Sequence, residues 1–375
     1  MKNLLKRYIK LMSSLEMFHL PVFTMEPIEK IDLNDKYIVR KQVENGYFGI
    51  VFIVDEKDTK KKRTLKVCPK VKTTQTDFVR EYSYSYTLGA HPNIIDTYEG
   101  MYQTIDESAF FFVQEVYPRT NLHNLVIHKR GGVGEELFKI ILLKVLDAIG
   151  YMHAKQFVHG NLKAENVLLF GVDTYTTVKV TDFSHTKKVD AFMKRVDEIN
   201  AYQAPELCEI IANEVITVNF SLDIWSLGIL FFFCLKGTFP WEKAISICKP
   251  YRDWEKWVKL QSHMMPKQFC SFTDKSMKVI RKCLNAKPKD RGTVQDMKKY
   301  VEKEPLIKVT KMPRSKSYHG RSTSTHRSRR DEILYEDKSE REPERRKSSS
   351  FRRWINSAMN TMTEFSHQAV SAHNQ

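Results

Sequence analysis

Between residues 36 and about 70, short β-prone runs (YIVRKQV, GIVFIVDE, TLKVC) are separated by charged, turn-like segments, a pattern that predicts an antiparallel sheet. A helical period follows over 77–88, and FFFVQEVY reads as a further buried strand. Beyond it long apolar helices dominate, predicted at 135–152, 222–235 and 274–284. The expected architecture is α+β: a small antiparallel β-rich lobe with one main helix over about 36–117, then a larger helical lobe over about 118–302. After Tyr300 the pattern fails, with almost no apolar residue between Met312 and Leu334. The stretch 303–350 is expected to be disordered, because it cannot bury enough apolar surface to offset chain entropy.

Two amphipathic patterns flank this domain. Residues 1–35 form an N-terminal extension whose first twenty residues place Leu4, Leu5, Tyr8, Ile9, Met12 and Leu15 at helical spacing, with four basic residues against one acidic. A helix docked on the domain, a membrane-surface helix and a mitochondrial presequence all fit it. A signal peptide does not, since Lys6, Arg7 and Lys10 interrupt the first apolar stretch. At the other end, 351–370 places Phe351, Trp354, Ile355, Ala358, Met359, Met362 and Phe365 on one helical face.

Charge sharpens the second pattern. The formal net charge is +16 over 375 residues, and 311–353 hold fourteen Lys or Arg against seven Asp or Glu, so this tail carries +7. Such a tail invites acidic partners. Directly before the apolar face, 345–350 reads R-R-K-S-S-S, which makes Ser348 and Ser349 candidate phosphosites. Over 345–370 the expected partners are an anionic membrane surface or a calmodulin-like groove, with phosphorylation opposing attraction to anionic lipid. A nucleic-acid role ranks last, because the tail has few aromatics for stacking and no recognisable binding module. The six cysteines contain no C-x-x-C pair, which argues for a reducing, cytoplasmic setting over a disulfide framework or zinc site. The longest apolar run, 224–235, is too short to span a bilayer, so any membrane contact would be peripheral.

Candidate chemistry begins at 43–51, V-E-N-G-Y-F-G-I-V, which keeps Gly46, Gly49 and Val51 of a G-x-G-x-x-G-x-V loop but lacks its first glycine. Glycines let a backbone approach phosphate oxygens closely. Lys66 follows fifteen residues after Val51, and Glu81 sits in a helical FVREY. A lysine on phosphates steadied by a helix carboxylate is what a nucleotide site needs. Then come H-G-N-L-K-A-E-N-V-L-L from His159, T-D-F-S at 181–184, A-P-E at 204–206 and D-I-W-S-L-G at 223–228.

At these positions, from roughly 36 to 301, the chain resembles the protein kinase family, whose catalytic loop reads H-R-D-L-x-x-x-N and whose metal motif reads D-F-G. FVREYSYSYTLGAHPNIIDT, VQEVYPRTNL, GTFPWE and KPKDRGTVQDMKKYV narrow the resemblance to the SH3-binding-domain serine/threonine kinases. The resemblance implies ATP and Mg2+ as cofactors. Val43, Gly46, Phe48, Gly49 and Val51 would cover the nucleotide, Lys66 would contact its phosphates and pair with Glu81, and Asn166 with Asp182 would bind magnesium. Lys163 would neutralise the γ-phosphate, Glu115 to Tyr117 would form the adenine-contacting hinge, and Gln114 would be the gatekeeper. Glu206 would pair with Arg291, and Asp223 would be structural. An SH3 partner is not carried over, since no two prolines are spaced P-x-x-P.

The departures gather at the transfer site. Asn161 replaces the aspartate that accepts the substrate proton, a loss worth about 10²- to 10⁴-fold in rate. Gly160 replaces an arginine that grips a phosphorylated activation segment, and no Ser, Thr or Tyr lies between Thr186 and Tyr202. Ile199 stands where the family has a bridging threonine, and Ser184 replaces the glycine of the metal motif. The reading is an ATP-binding pseudokinase acting as scaffold or allosteric regulator. The alternative is a slow serine/threonine kinase that relies on a loose transition state needing little base help.

Overall fold

The computed structural model describes residues 28–308 apart from 47–48, 130, 172–174, 176, 195–198, 210–213 and 261–263. Phe48, the amphipathic patterns at 1–20 and 351–370, the tail and Ser348 and Ser349 lie outside the described residues.

The N-terminal lobe is one six-stranded sheet in the order β1-β5-β6-β4-β3-β2, formed by β1 (Glu29–Ile31), β2 (Tyr37–Asn45), β3 (Ile50–Glu56), β4 (Lys62–Pro69), β5 (Thr97–Thr104) and β6 (Ala109–Gln114). A one-turn helix α1 (Leu33–Lys36) joins β1 to β2. The sheet is antiparallel except that β1 runs parallel to β5. It therefore begins before the expected boundary at 36. Strand β6 is buried along its whole length because both faces are covered. Phe110 and Phe112 pack with Phe78 and Tyr82 of helix α2 (Gln75–Leu88), while Ala109, Phe111 and Val113 join Phe52, Val54 and Leu65 on the opposite face. Thr74 caps α2 by accepting the Asp77 amide at 3.1 Å, which orients the helix that carries Glu81.

In the C-terminal lobe, a helix hydrophobic all round has to be central. Helix α6 (Ser221–Lys236) meets this rule, with every residue from 222 to 235 buried. Around it, in chain order, lie strand β7 (Thr120–Asn121), α3 (Leu122–His128), α4 (Glu135–Ala154), β8 (Phe157–Val158), β9 (Val167–Phe170), β10 (Thr177–Val180), β11 (Lys187–Lys188), β12 (Phe192–Lys194), α5 (Pro205–Cys208), β13 (Val215–Thr217), α7 (Lys249–Leu260), α8 (Asp274–Cys283) and α9 (Val294–Lys303). The lobe closes beyond residue 302: Leu306 is buried, and the Glu135 carboxylate accepts the amides of Leu306 and Ile307 at 2.9 and 3.0 Å. No helix among the described residues is long and apolar enough to cross a membrane.

The lobes are tied where the 93–95 segment meets β10. Val180 N donates to Asn93 O at 2.8 Å, Ile95 N donates to Val180 O at 3.0 Å, and Asn93 Nδ2 donates to Val178 O at 2.9 Å. This tie sets the end of β10, and with it Thr181 and Asp182, beneath the sheet.

Candidate active site

Strand register assembles the roof of the cleft. Glu44 of β2 pairs with Val51 of β3, and Val51 pairs with Lys66 of β4, so the three side chains share one face. Lys66 Nζ bonds the Glu81 carboxylate and lies 2.9 Å from Asp182 Oδ1. Burial disfavours the Lys66 charge, but the carboxylates of Asp182 and Glu81 outweigh it and hold the ammonium well above its ordinary value. Gly49 fits tightly, since a Cβ there would stand 3.3 Å from both Lys66 Cε and Val67 O. Gly46 N donates to Gly49 O at 2.9 Å.

Asp182 occupies the left-handed region at φ 69°, a conformation that costs a non-glycine residue energy and survives only where its surroundings impose it. Here they do. Lys66 Nζ and Ser184 Oγ both donate to Oδ1 at 2.9 Å, while Asn161 Nδ2 and Asn166 Nδ2 donate to Oδ2 at 3.1 and 3.4 Å. Burial would raise its pKa, but Lys66, His185 and Ser184 hold it far below the usual carboxylate range. Asn166 Nδ2 also donates to Asn161 O at 2.8 Å. The predicted metal pair is thus brought together, with Asn161 beside it.

The catalytic loop hangs on Asp223, whose Oδ2 accepts from His159 N at 2.8 Å and whose Oδ1 accepts from Gly160 N at 3.0 Å. His153 Nε2 adds a contact at 2.9 Å. Burial works against the charge, yet the His153 hydrogen bond, the two histidines and the Gly160 amide keep Asp223 below its ordinary value. His159 accepts from Asn161 N at Nδ1 (3.2 Å), so its Nε2 donates to Thr181 O (3.1 Å) in the neutral tautomer. Burial lowers its pKa to match. Gly160 sits at φ +76°, and a Cβ there would stand 2.7 Å from His185 O. The glycine therefore lets the start of the activation segment pack on the loop, in addition to removing an arginine. Lys163 is half-buried, and no described residue bonds its ammonium. Ile199 packs half-buried against the core.

At the other end of the cleft the hinge departs from expectation. Glu115 turns its carboxylate to Asp96 N at 2.8 Å and to the Lys179 ammonium. The amide of Tyr117 donates to Thr64 Oγ1 at 2.9 Å, and the phenol ring is turned inward and buried. Its hydroxyl bonds Gln114 Oε1 at 3.0 Å and Thr181 Oγ1 at 2.6 Å. Gln114 is in turn fixed by Ser85 and Thr97, to whose hydroxyls Nε2 donates at 3.0 and 3.1 Å.

The β2–β3 register shifts between Gln42 and Glu44, leaving Val43 without a partner across the sheet and exposed. Glu44, which the sequence reading did not include, faces the cleft. Burial and the nearby Asp182 raise its pKa, while Lys66 and Lys163 pull it down. Its signal was in plain view, since Glu44 stands where the loop's first glycine is missing. Thr181 was also passed over as a motif neighbour of Asp182.

Away from the cleft, Arg291 grips Glu206 with two hydrogen bonds of 2.7 Å, bonds Ser221 O and Asn285 O at 3.0 and 2.9 Å, and lies 4.9 Å from the Trp225 ring. The expected brace is in place.

The family model of the protein kinase domain matches residues 37–301. A putative serine/threonine-protein kinase of Caenorhabditis elegans is 48% identical over 290 residues, 77% of this chain and 71% of the relative. The serine/threonine-protein kinase SBK1 of Danio rerio is 33% identical over 74% of this chain and 71% of its own length. Serine/threonine-protein kinase meng-po of Drosophila melanogaster is 30% identical, with 72% of this chain and 58% of the relative covered. With this match and the geometry of Lys66, Glu81, Asn166 and Asp182 in agreement, the chain belongs to the protein kinase family and within it resembles the SH3-binding-domain serine/threonine kinases.

Proposed function

We propose that this chain is a pseudokinase of the serine/threonine class, a scaffold or allosteric regulator with adenine nucleotide as its ligand and phosphoryl transfer lost or strongly reduced. The observation that carries the reading is the 3.1 Å hydrogen bond from Asn161 Nδ2 to Asp182 Oδ2. An amide at this place takes no proton from a hydroxyl, and here it also donates to the carboxylate expected to hold the metal. The two side chains hold each other in place through this bond.

The donor set still suits Mg2+ and ATP. Asp182 and the Asn166 side chain offer oxygen ligands, and Lys66 with Lys163 offers charge for a polyphosphate. Bound there, the ion would supply compensation for phosphate charge. The protein's own part is to hold Asp182 anionic through Lys66 and Ser184, and to keep Asn161 within reach of a substrate hydroxyl that it can orient but not deprotonate.

A second reading, a slow serine/threonine kinase, is favoured by the assembled Lys66–Glu81 pair and the uncommitted Lys163. Phosphate transfer from labelled ATP with Mg2+ to a generic protein substrate separates the two. The native chain is expected to give no more than the Asp182→Ala control, with activity gained in Asn161→Asp. Native activity that disappears in Asp182→Ala would make this an atypical kinase.

A further inference from the structure

We propose that Tyr117 is a built-in plug of the adenine pocket, and that its rotation out of the pocket decides whether an adenine-bearing ligand enters. This rests on the nucleotide-binding reading above and adds to it a residue that sets access.

Three residues bound the place where the family resemblance puts the adenine ring: Val51 of the roof, Gln114 at the end of β6, and Thr181 directly before Asp182. A flat ring entering from the hinge must pass between them. The Tyr117 phenol already lies there, only 5% exposed and packed in one apolar cluster with Val51. Its hydroxyl reaches the rear of the pocket and touches both other walls, at 3.0 Å to Gln114 Oε1 and 2.6 Å to Thr181 Oγ1.

The placement is specified by a closed chain of hydrogen bonds. Gln114 Nε2 donates to the hydroxyls of Ser85 and Thr97, which directs Gln114 Oε1 at the phenol. The phenol donates to that oxygen, so it accepts from Thr181. Burial keeps the phenol protonated and able to donate. The donors of Gln114, Tyr117 and Thr181 in this network each have a partner, and such a network holds one geometry where an apolar contact would tolerate several. The Tyr117 amide, the donor an adenine edge would use, is taken by Thr64 Oγ1 at 2.9 Å. Both the flat space and the N–H that adenine requires are occupied by the protein itself.

A ligand that needs the open form binds with its affinity reduced by the open fraction. Removing the plug should therefore tighten binding, whereas removing a ligand-contacting residue would weaken it. The test measures binding of adenosine, ADP and ATP with Mg2+ by calorimetry on the full chain, comparing native protein, Tyr117→Val and Thr181→Ala. Tyr117→Val keeps the hinge backbone and removes the ring. The expected result is about ten-fold or greater tightening for all three ligands, the scale of two buried hydrogen bonds no longer broken on entry. Thr181→Ala cuts the same latch from the opposite wall and should shift affinity in the same direction by a smaller factor. It also decides the matter should Tyr117→Val fail to fold by circular dichroism. Unchanged or weaker binding in the folded variants overturns the plug. If native chain and variants bind ADP equally, only this inference falls; if no adenine ligand binds any of them, the nucleotide reading falls with it.

Discussion

The Arg291 brace and the cleft around Asp182 are both buried polar networks, yet they differ in what their bonds connect. Arg291 ties Glu206, Ser221 and Asn285, all of them parts of the helical lobe. Asp182 ties Ser184 and also Lys66, Asn161 and Asn166, side chains expected from the family resemblance to face a nucleotide, a metal or a substrate. The first network closes on itself because it is scaffolding. The second closes on itself because Asn161 and Ser184 donate where the family has an acceptor and a glycine, so the carboxylate meets four donors supplied by the chain itself.

If the comparison holds, breaking the brace costs the most. Arg291→Ala leaves the Glu206 carboxylate without its cation and is expected to lower stability by about 3–5 kcal/mol in denaturant melts, with the cleft residues untouched. Next is the loop anchor. Asp223→Asn should cost about 2 kcal/mol at neutral pH, because an amide cannot accept at both oxygens from His159, Gly160 and His153 as the carboxylate does. The folded pKa of Asp223 is depressed, so its stabilisation is fully present above the unfolded value near ~3.9 and is lost as pH falls through the folded one. The gap between native and Asp223→Asn should therefore narrow only below about pH 4, and a gap that narrows between pH 6 and 8 would falsify this assignment.

Within the cleft, effects should be smaller and should respond to cations. Asn161→Asp turns a hydrogen bond into two carboxylates about 3 Å apart, which should cost about 1–2 kcal/mol without divalent ions and be recovered on adding Mg2+. Thermal melts with and without Mg2+ read this directly; equal loss in both conditions would mean that the pair does not take up the ion. The smallest expected change is Glu44→Gln. Removing a charge that faces Asp182 should tighten ATP several-fold, about 1 kcal/mol, while adenosine is unaffected. Weaker ATP binding would instead assign Glu44 to the metal.

The two networks were unequally legible in the sequence. The brace, the Lys66–Glu81 pair and the meeting of Asn166 with Asp182 rest on residue types at long, ordered spacings that one fold brings together, and the chain carries that order from Gly46 to Arg291. Tyr117 was legible only as a hinge position. Whether its side chain points outward or into the pocket depends on Thr64 of β4 capturing its amide, and on Gln114 of β6 and Thr181 just after β10 offering partners. Glu44 faces the cleft because its register partner is Val51, and that pairing is not visible in composition. Gly160 likewise read as a missing arginine, and only the approach of His185 O shows why a glycine fits there.

What the sequence by itself determined is the family, the two-lobed order of elements and the loss of the base at residue 161. These depend on periodicity and on which residue types stand at which spacings, and both are written along the chain. Only the tertiary structure decided that the lost base became a donor to Asp182, that Glu44 faces the cleft, and that the Tyr117 ring is turned inward and buried. Each of those outcomes is a choice among local geometries of similar energy. Such choices are settled by hydrogen-bond partners and packing from distant segments, which a single stretch of sequence does not contain.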